Sequence, residues 1–139
     1  MTESEHFVTC AVLVNSQGQF LLGKRKNCYK TGMYGLPGGR VHLREKLIDA
    51  IAREIAEETG LQHLSLSFVG VVRENQGDHD YIHLVFSAEV GEQEPLLCEP
   101  DKCEGWEWFE KDSEFSNTLP GHVAAIQLFK SEQKLIDLG

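Results

Sequence analysis

The sequence lacks any run of about 18 apolar residues, the minimum that a membrane-spanning helix requires. Its start, MTESEHFVTC, has neither the basic residues nor the apolar core of a secretory signal. These two absences exclude membrane insertion and predict a cytoplasmic protein. No internal repeat, low-complexity tract or Pro/Ser-rich linker is present, and 139 residues suit one domain, so we expect a single domain over residues 1–139.

Cysteine and positive charge are also scarce. The four cysteines form no C-x-x-C pair and have no matching histidine spacing, so structural zinc is not indicated and reduced thiols are expected. Acidic residues outnumber basic ones by 22 to 13, which leaves a formal net charge of -9. Such a chain offers no basic face for duplex nucleic acid. If its ligand is a polyanion, something other than net charge has to attract it.

The apolar residues recur with strand-like spacing in some segments and helix-like spacing in others. Strands are predicted over residues 6–15, 20–26, 64–74, 81–90 and 105–110, the first two forming a hairpin. Helices are predicted over residues 45–59, closed by Gly60 in a left-handed cap, and 120–135. The glycine-rich residues 27–39 are predicted to form an ordered loop. This order predicts an α/β fold with a mixed sheet between helices.

The segment REIAEETG, residues 53–60, places three glutamates in the last turns of the first predicted helix. Glu54, Glu57 and Glu58 fall within a sector about 100° wide, beside an apolar stripe that includes Ile48. The helix dipole disfavours negative charge there, and Glu54 and Glu58 repel each other at i, i+4 spacing. A solvated acidic face is the ordinary explanation, but a local conflict of this kind is typical of a functional site.

A hard divalent cation would resolve this repulsion, because Mg²⁺ and Mn²⁺ prefer carboxylate oxygens. Such a cation completes its coordination with substrate phosphates and so converts an acidic site into a phosphate site. Calcium is not favoured, since the chain has no D-x-D-x-D-G loop. Arg53 is expected on a different side of the helix from the three glutamates, where Asp49 lies four residues earlier. A salt bridge between Asp49 and Arg53 would explain Arg53 without a role in the active site.

The spacing around these glutamates resembles the Nudix box at every defined position. Gly39 is followed after five residues by Glu45 and after seven more by Arg53-Glu54-Ile55. One residue then separates this triplet from Glu57-Glu58, and one more separates that pair from Gly60-Leu61. The LPGG before the box, the LLGKRK strand and the later CEPDKCEGWEWF resemble the MutT-like branch of that family. The resemblance implies a Nudix-type α/β/α sandwich that uses Mg²⁺ or Mn²⁺ to hydrolyse a nucleoside diphosphate linked to a variable group.

Catalytic roles follow from the resemblance, position by position. It implies that Glu54, Glu57 and Glu58 are metal ligands and that Glu54 or Glu58 deprotonates the attacking water. The backbone carbonyl of Gly38 would be a further ligand. Arg53 would orient the glutamates.

Supporting residues are implied in the same way. Glu45 would pair with Arg53. Members of the family often recruit a further carboxylate from a later loop, and the candidates here are Glu99, Asp101 and Glu104. Of these we choose Glu104 as the additional metal ligand.

Substrate-binding residues are predicted from charge and aromaticity. Positive charge near the phosphates could come from Lys24, Arg25, Lys26 and Arg40, although cations on an edge strand are explained equally well by solvation. Stacking surfaces for a base could come from Tyr29, Tyr34, Phe7 and Trp108, although most aromatic residues in a chain of this size belong to the core.

The expected substrate is a (d)NTP, cleaved to (d)NMP and pyrophosphate. The proline that marks ADP-ribose hydrolases of the family is replaced by Gln76 and Gly77, and the tyrosine of diadenosine-polyphosphate hydrolases by His79 and Asp80. An ADP-ribose or nucleotide-sugar pyrophosphatase is the alternative. A nucleotide sensor without activity and a structural interaction module are the rival classes. A homodimer is compatible with the sequence, but no residue decides it.

Overall fold

The computed structural model describes residues 4–139, which form one mixed eight-stranded sheet and two helices. The strands are β1 Ser4–Asn15, β2 Phe20–Arg25, β3 Tyr34–Gly35, β4 Gly38–Arg40, β5 Ser67–Gln76, β6 His79–Gly91, β7 Cys103–Phe109 and β8 Leu135–Asp137. The helices are α1 Leu47–Thr59 and α2 Pro120–Phe129. Neither helix in these described residues has the length and apolar character of a membrane span.

A parallel pair, β1 and β6, forms the centre of the sheet. Antiparallel neighbours extend it on both sides: β2 pairs with β1, which confirms the predicted hairpin, and β5 pairs with β6. The short strand β4 also pairs with β1, with Gly39 opposite Thr9. This pairing fixes Gly38 and Gly39 against the middle of the sheet.

Alternation along β1 divides the core between the two faces of the sheet. Cys10 and Val12 pack with the buried residues of α2, while Ala11 and Leu13 pack with Ile51 of α1. Each helix therefore covers one face, and the predicted α/β architecture with a mixed sheet between helices is confirmed.

The first helix is close to its prediction but not identical to it. It begins at Leu47, and Gly60 closes it in the predicted left-handed conformation, with φ 74° and its N–H on the Ala56 carbonyl. Ile48 was expected in the apolar stripe, yet it is 42% exposed because the first turn of α1 is open to solvent. The last turn, where Glu57 and Glu58 lie, contains no basic residue.

The second predicted helix is wrong beyond Phe129, where α2 ends. Residues 130–134 form turns and bends, strand β8 begins at Leu135 and runs parallel to β5, and the Val71 N–H donates to the Lys134 carbonyl at 2.9 Å. The open edge of β5 satisfies the backbone of this tail, a tertiary effect that helical periodicity does not reveal. The loop predicted over residues 27–39 likewise contains β3 and β4.

Candidate active site

The glutamates of α1 lie against β4, and two glycines make that contact tight. A Cβ on Gly39 would stand 2.5 Å from Cδ of Glu54, so only glycine lets this carboxylate approach the strand. The N–H of Gly38 donates to Oε1 of Glu58 at 2.8 Å. A Cβ on Gly38 would overlap the carbonyl oxygen of Thr9 on β1. The helix and the sheet thus bring Gly38, Gly39, Glu54 and Glu58 together.

Arg53 connects the acidic residues of this region. Its Nε and Nη2 donate to the two oxygens of Glu45 at 2.8 and 3.0 Å, a bidentate pair. Its Nη1 donates to Glu54 at 2.9 Å and to Glu57 at 3.2 Å, and Nη2 also donates to the Arg40 carbonyl at 3.1 Å. One guanidinium therefore positions two of the three glutamates relative to β4.

The alternative explanation of Arg53 as the partner of Asp49 is wrong. Within residues 4–139 its ion pairs join it to Glu45, Glu54 and Glu57. Hydrogen bonding to Arg53 holds the pKa of Glu45 at about 2, so that pair stays ionised. The pairing of Glu45 with Arg53 that the sequence suggested is present as a contact, while its part in catalysis stays a prediction.

The other two glutamates near β4 resist ionisation. Burial is the main reason that the pKa of Glu58 rises to about 8, and the charges of Glu54 and Glu99 add to it, against the Gly38 N–H. Burial also raises the pKa of Glu54, in spite of its bond to Arg53. Without a further cation, the site favours a proton on Glu58 at neutral pH.

The possible donors are the carboxylate oxygens of the α1 glutamates and the backbone carbonyl oxygens of β4. Oxygen donors of this kind fit a hard divalent cation. The carboxylate oxygens do not converge on one point: in the described part of the chain, the group of three ligand residues whose atoms all lie within 4.8 Å of one another is Cys10, His83 and His122. The side chain of Glu57 is 48% exposed and leans toward Arg53. A cation would have to draw these carboxylates together and would replace the proton on Glu58.

Of the three later carboxylates, Glu99 has contacts that join it to this cluster, while the choice of Glu104 as a metal ligand stays a prediction. Glu99 and Glu58 line the same cavity of about 280 Å³, and the charge of Glu99 raises the pKa of Glu58. Glu104 instead forms an ion pair with Lys24, Nζ to Oε2 at 3.4 Å. Asp101 is exposed, and its carbonyl accepts a hydrogen bond from Asn27.

A larger cavity of about 560 Å³ opens beside the glutamates. Gly38, Gly39 and Glu58 form one end of its lining, and Arg25 and Arg40 line it as well. Two of the predicted phosphate-binding cations therefore line the same cavity as Glu58, as binding of a polyanion together with a cation requires.

The other predicted substrate-binding residues lie elsewhere. Lys24 lines the smaller cavity, and Lys26 donates to the Pro100 carbonyl at 3.1 Å. The Tyr34 hydroxyl donates to Glu107 at 3.1 Å and its ring packs edge-on against Phe109, so it does not line the larger cavity.

Three further aromatic candidates differ in their surroundings. Tyr29 is 60% exposed and lines the larger cavity. Phe7 is 56% exposed outside that lining, and the Trp108 indole N–H donates to Glu94 at 3.0 Å. Of the candidate stacking surfaces, only Tyr29 faces this cavity in the described part of the chain.

Sequence reasoning missed three residues deep in the larger cavity, Glu74, His83 and His122. Glu74 and His83 are 8% and 7% exposed, and they face each other from β5 and β6. Ionisable residues at inward positions of apolar strands, as in YIHLVF, are the signal that could have identified them.

Two known proteins match large parts of the chain. It is 38% identical over 80 residues to the ADP-ribose pyrophosphatase of Methanocaldococcus jannaschii. The aligned segment covers 56% of this chain and 47% of that protein. It is 33% identical over 103 residues to the oxidized purine nucleoside triphosphate hydrolase of Danio rerio, and that alignment covers 73% of this chain and 64% of that protein. The chain thus spans about half to two thirds of the length of these relatives.

A solved structure has the same fold. The MutT NUDIX hydrolase of Burkholderia pseudomallei superposes with a TM-score of 0.81 at 29% identity, covering 89% of this chain and 97% of that one. The family model for the NUDIX domain matches residues 5–129, which include both helices and the whole carboxylate cluster. The chain belongs to the NUDIX family.

Proposed function

We propose that residues 1–139 act as a single hydrolase domain that uses Mg²⁺ or Mn²⁺ to cleave nucleoside diphosphate-linked substrates, with a (d)NTP as the preferred substrate. The observation that carries this proposal is the position of Glu58. It belongs to the carboxylate cluster and also lines a cavity large enough for a nucleotide, next to Arg25 and Arg40.

Each residue of the site has a task that its contacts support. Glu54, Glu57 and Glu58, with the Gly38 carbonyl, would hold the cation, which supplies charge neutralisation at phosphate oxygens and a more acidic bound water. Arg53 holds Glu54 and Glu57 in place through its bonds to both.

The remaining tasks concern the proton and the substrate charge. Glu54 or Glu58 would accept the proton of the attacking water, since both have a raised pKa and lie close to β4. Arg25 and Arg40 would bind the outer phosphates. Cleavage between the α- and β-phosphates would then release (d)NMP and pyrophosphate.

The choice between substrates rests on residues 99–109, which lead into and form β7, and on the relatives. The segment EPDKCEGWEWF is of the MutT-like type, and the Danio rerio relative is named for a nucleoside triphosphate. ADP-ribose is the second candidate, because the Methanocaldococcus jannaschii relative is named an ADP-ribose pyrophosphatase.

A nucleotide panel tests the proposal. The protein is incubated with the dNTPs, ADP-ribose and a nucleotide sugar, with Mg²⁺ or with EDTA, and the products are separated by ion-exchange chromatography. We expect (d)NMP and pyrophosphate from at least one (d)NTP with Mg²⁺ and none with EDTA. AMP and ribose 5-phosphate from ADP-ribose alone would overturn the preferred substrate in favour of the second candidate.

Two variants on α1 separate catalysis from contamination. Glu57→Gln removes an exposed charge of the cluster and should lower activity about 100-fold, as expected for a group that helps to hold a metal. Asp49→Asn removes an exposed charge on the same helix outside the cluster and should leave activity unchanged. Equal rates in the wild type and both variants would refute the assignment as a hydrolase.

A further inference from the structure

The last backbone carbonyls of α1 have no partner within the helix, because the chain leaves the helical path at Gly60. Other segments of the fold supply donors to them. The Leu96 N–H donates to the Thr59 carbonyl at 2.8 Å, and the indole N–H of Trp106 on β7 donates to the Glu58 carbonyl at 3.3 Å. A side chain of the sheet therefore holds the backbone of a glutamate that belongs to the carboxylate cluster.

Glu58 is held at both of its ends. Its Oε1 accepts the N–H of Gly38 on β4 at 2.8 Å, while its backbone carbonyl accepts the Trp106 indole. Strand β4 pairs with β1 and β7 pairs with β2, so the two donors lie on different strands of the same sheet. The Gly38 bond fixes where the carboxylate ends, and the Trp106 bond fixes where the side chain begins.

The Trp106 ring lies over a glycine of the neighbouring strand. Trp106 is opposite Gly23 of β2, and a Cβ on Gly23 would stand 2.8 Å from the ring carbons Cε3 and Cζ3. Glycine at position 23 therefore gives the ring the place from which its N–H reaches Glu58. Among the described residues, a Cβ on Gly105 would meet no atom within 4 Å beyond its chain neighbours, although Gly105 is adjacent to Trp106.

Core packing is the ordinary explanation of Trp106, since its ring packs against the buried cluster that includes Ile55. Trp108 provides the comparison, because it lies two residues further along β7 and packs against the same cluster. The indole N–H of Trp108 donates instead to Oε2 of Glu94 at 3.0 Å. Trp106 alone of the two lines the smaller cavity, which it shares with Glu58.

We propose that Trp106 is a positioning residue, whose indole N–H places the last turn of α1 so that the Glu58 carboxylate reaches the metal site. This inference rests on the metal site of the proposed function, in which Glu58 helps to hold the cation. Trp106 does not line the larger cavity, so it acts through Glu58. The loss of a group that orients a metal ligand typically lowers metal affinity about 10- to 100-fold.

Trp106→Phe removes the indole N–H and keeps an aromatic ring in the core. Binding of Mn²⁺ alone, measured by paramagnetic resonance, should be about 10-fold weaker than in the wild type. With the best substrate of the panel and saturating Mg²⁺, kcat should fall about 10-fold while KM stays within about twofold, because the contact that is lost supports the transition state.

Trp108→Phe is the matched control, since it removes the same group from the same strand. It should leave the Mn²⁺ affinity and kcat as in the wild type. Equal effects of the two variants on Mn²⁺ affinity would show that Trp106 contributes packing only, and would overturn the proposal.

Two glycine variants test the position of the ring without removing its N–H. Neither Gly23 nor Gly105 has a positive φ, so alanine is compatible with both backbones. Gly23→Ala pushes against the Trp106 ring and should weaken Mn²⁺ binding, whereas Gly105→Ala adds the same methyl group in open space and should not. If Trp106→Phe does not fold, this pair decides, because an unchanged Mn²⁺ affinity in Gly23→Ala overturns the proposal.

Metal binding and hydrolysis together separate the inference from the proposed function. A lower Mn²⁺ affinity in Trp106→Phe but not in Trp108→Phe, in a protein that cleaves no nucleotide of the panel, would support the inference and refute the hydrolase. Hydrolysis by the wild type with one Mn²⁺ affinity in all three proteins would do the reverse. A wild type that binds no Mn²⁺ would overturn both.

Discussion

Replacing Glu58 with glutamine is expected to lower kcat/KM about 10³-fold, which corresponds to roughly 4 kcal/mol of transition-state stabilisation. The reason is that Glu58 belongs to both the carboxylate cluster and the nucleotide cavity, so its charge would act on the cation and the phosphates at once. Glutamine keeps the size of the side chain and an acceptor for the Gly38 N–H, which Glu58 binds at 2.8 Å. Steady-state kinetics with the best substrate of the panel provide the measurement.

Asp49→Asn serves as the matched control, because it removes the same charge from the same helix outside the cluster. A Glu58→Gln variant that keeps more than about a tenth of wild-type activity would contradict the role given to Glu58. Circular dichroism shows whether a lost activity reflects a lost fold.

The second large effect concerns stability in the absence of metal. The pKa of Glu58 rises from 4.5 to about 8 in the folded chain, so between these pH values the folded state holds a proton that the unfolded state has released. The free energy of unfolding therefore falls as pH rises through this window. The stability that this proton contributes is complete below pH 4.5 and is lost above pH 8. The loss from this group amounts to at most about 5 kcal/mol.

Urea unfolding in EDTA at pH 5 and at pH 8.5, for the wild type and Glu58→Gln, measures this effect. The variant should be more stable than the wild type at the higher pH by about 2 kcal/mol or more, since it has no charge to bury. The difference should shrink at the lower pH, and Mg²⁺ at the higher pH should stabilise the wild type more than the variant. A wild type that is more stable than the variant at pH 8.5 in EDTA would show that Glu58 is not strained when ionised.

The sequence was most informative where local chemistry decides the structure. The helical spacing of apolar residues predicted the first helix, and the conflict among Glu54, Glu57 and Glu58 at its end predicted the position of the site. Gly60 closes α1 as expected because a left-handed residue terminates a helix without help from the rest of the fold.

Contacts between distant segments were beyond the sequence. Glu99, in the loop before β7, and Glu104, in β7 itself, look alike in the sequence, and only the fold shows that Glu99 shares a cavity with Glu58 while Glu104 pairs with Lys24. The pairing of β8 with β5 depends on the free edge of another strand in the same way.

The buried pair that lines the larger cavity shows the same limit. Glu74 and His83 are nine residues apart, yet their pairing depends on the antiparallel register of β5 and β6 and on the space left by Gly121. The spacing of ionisable residues can indicate such a pair, but register and packing decide whether it forms.

We propose that neighbouring carboxylates on α1 are tolerated because they bind a divalent cation together. Paramagnetic resonance of Mn²⁺ titrated into the wild type and Glu58→Gln, with a non-hydrolysable nucleotide present, tests this most directly. The account predicts bound Mn²⁺ in the wild type, displaced by Mg²⁺, and an affinity at least about 10-fold lower in the variant. Equal uptake of Mn²⁺ by both proteins, or uptake by neither, would contradict it.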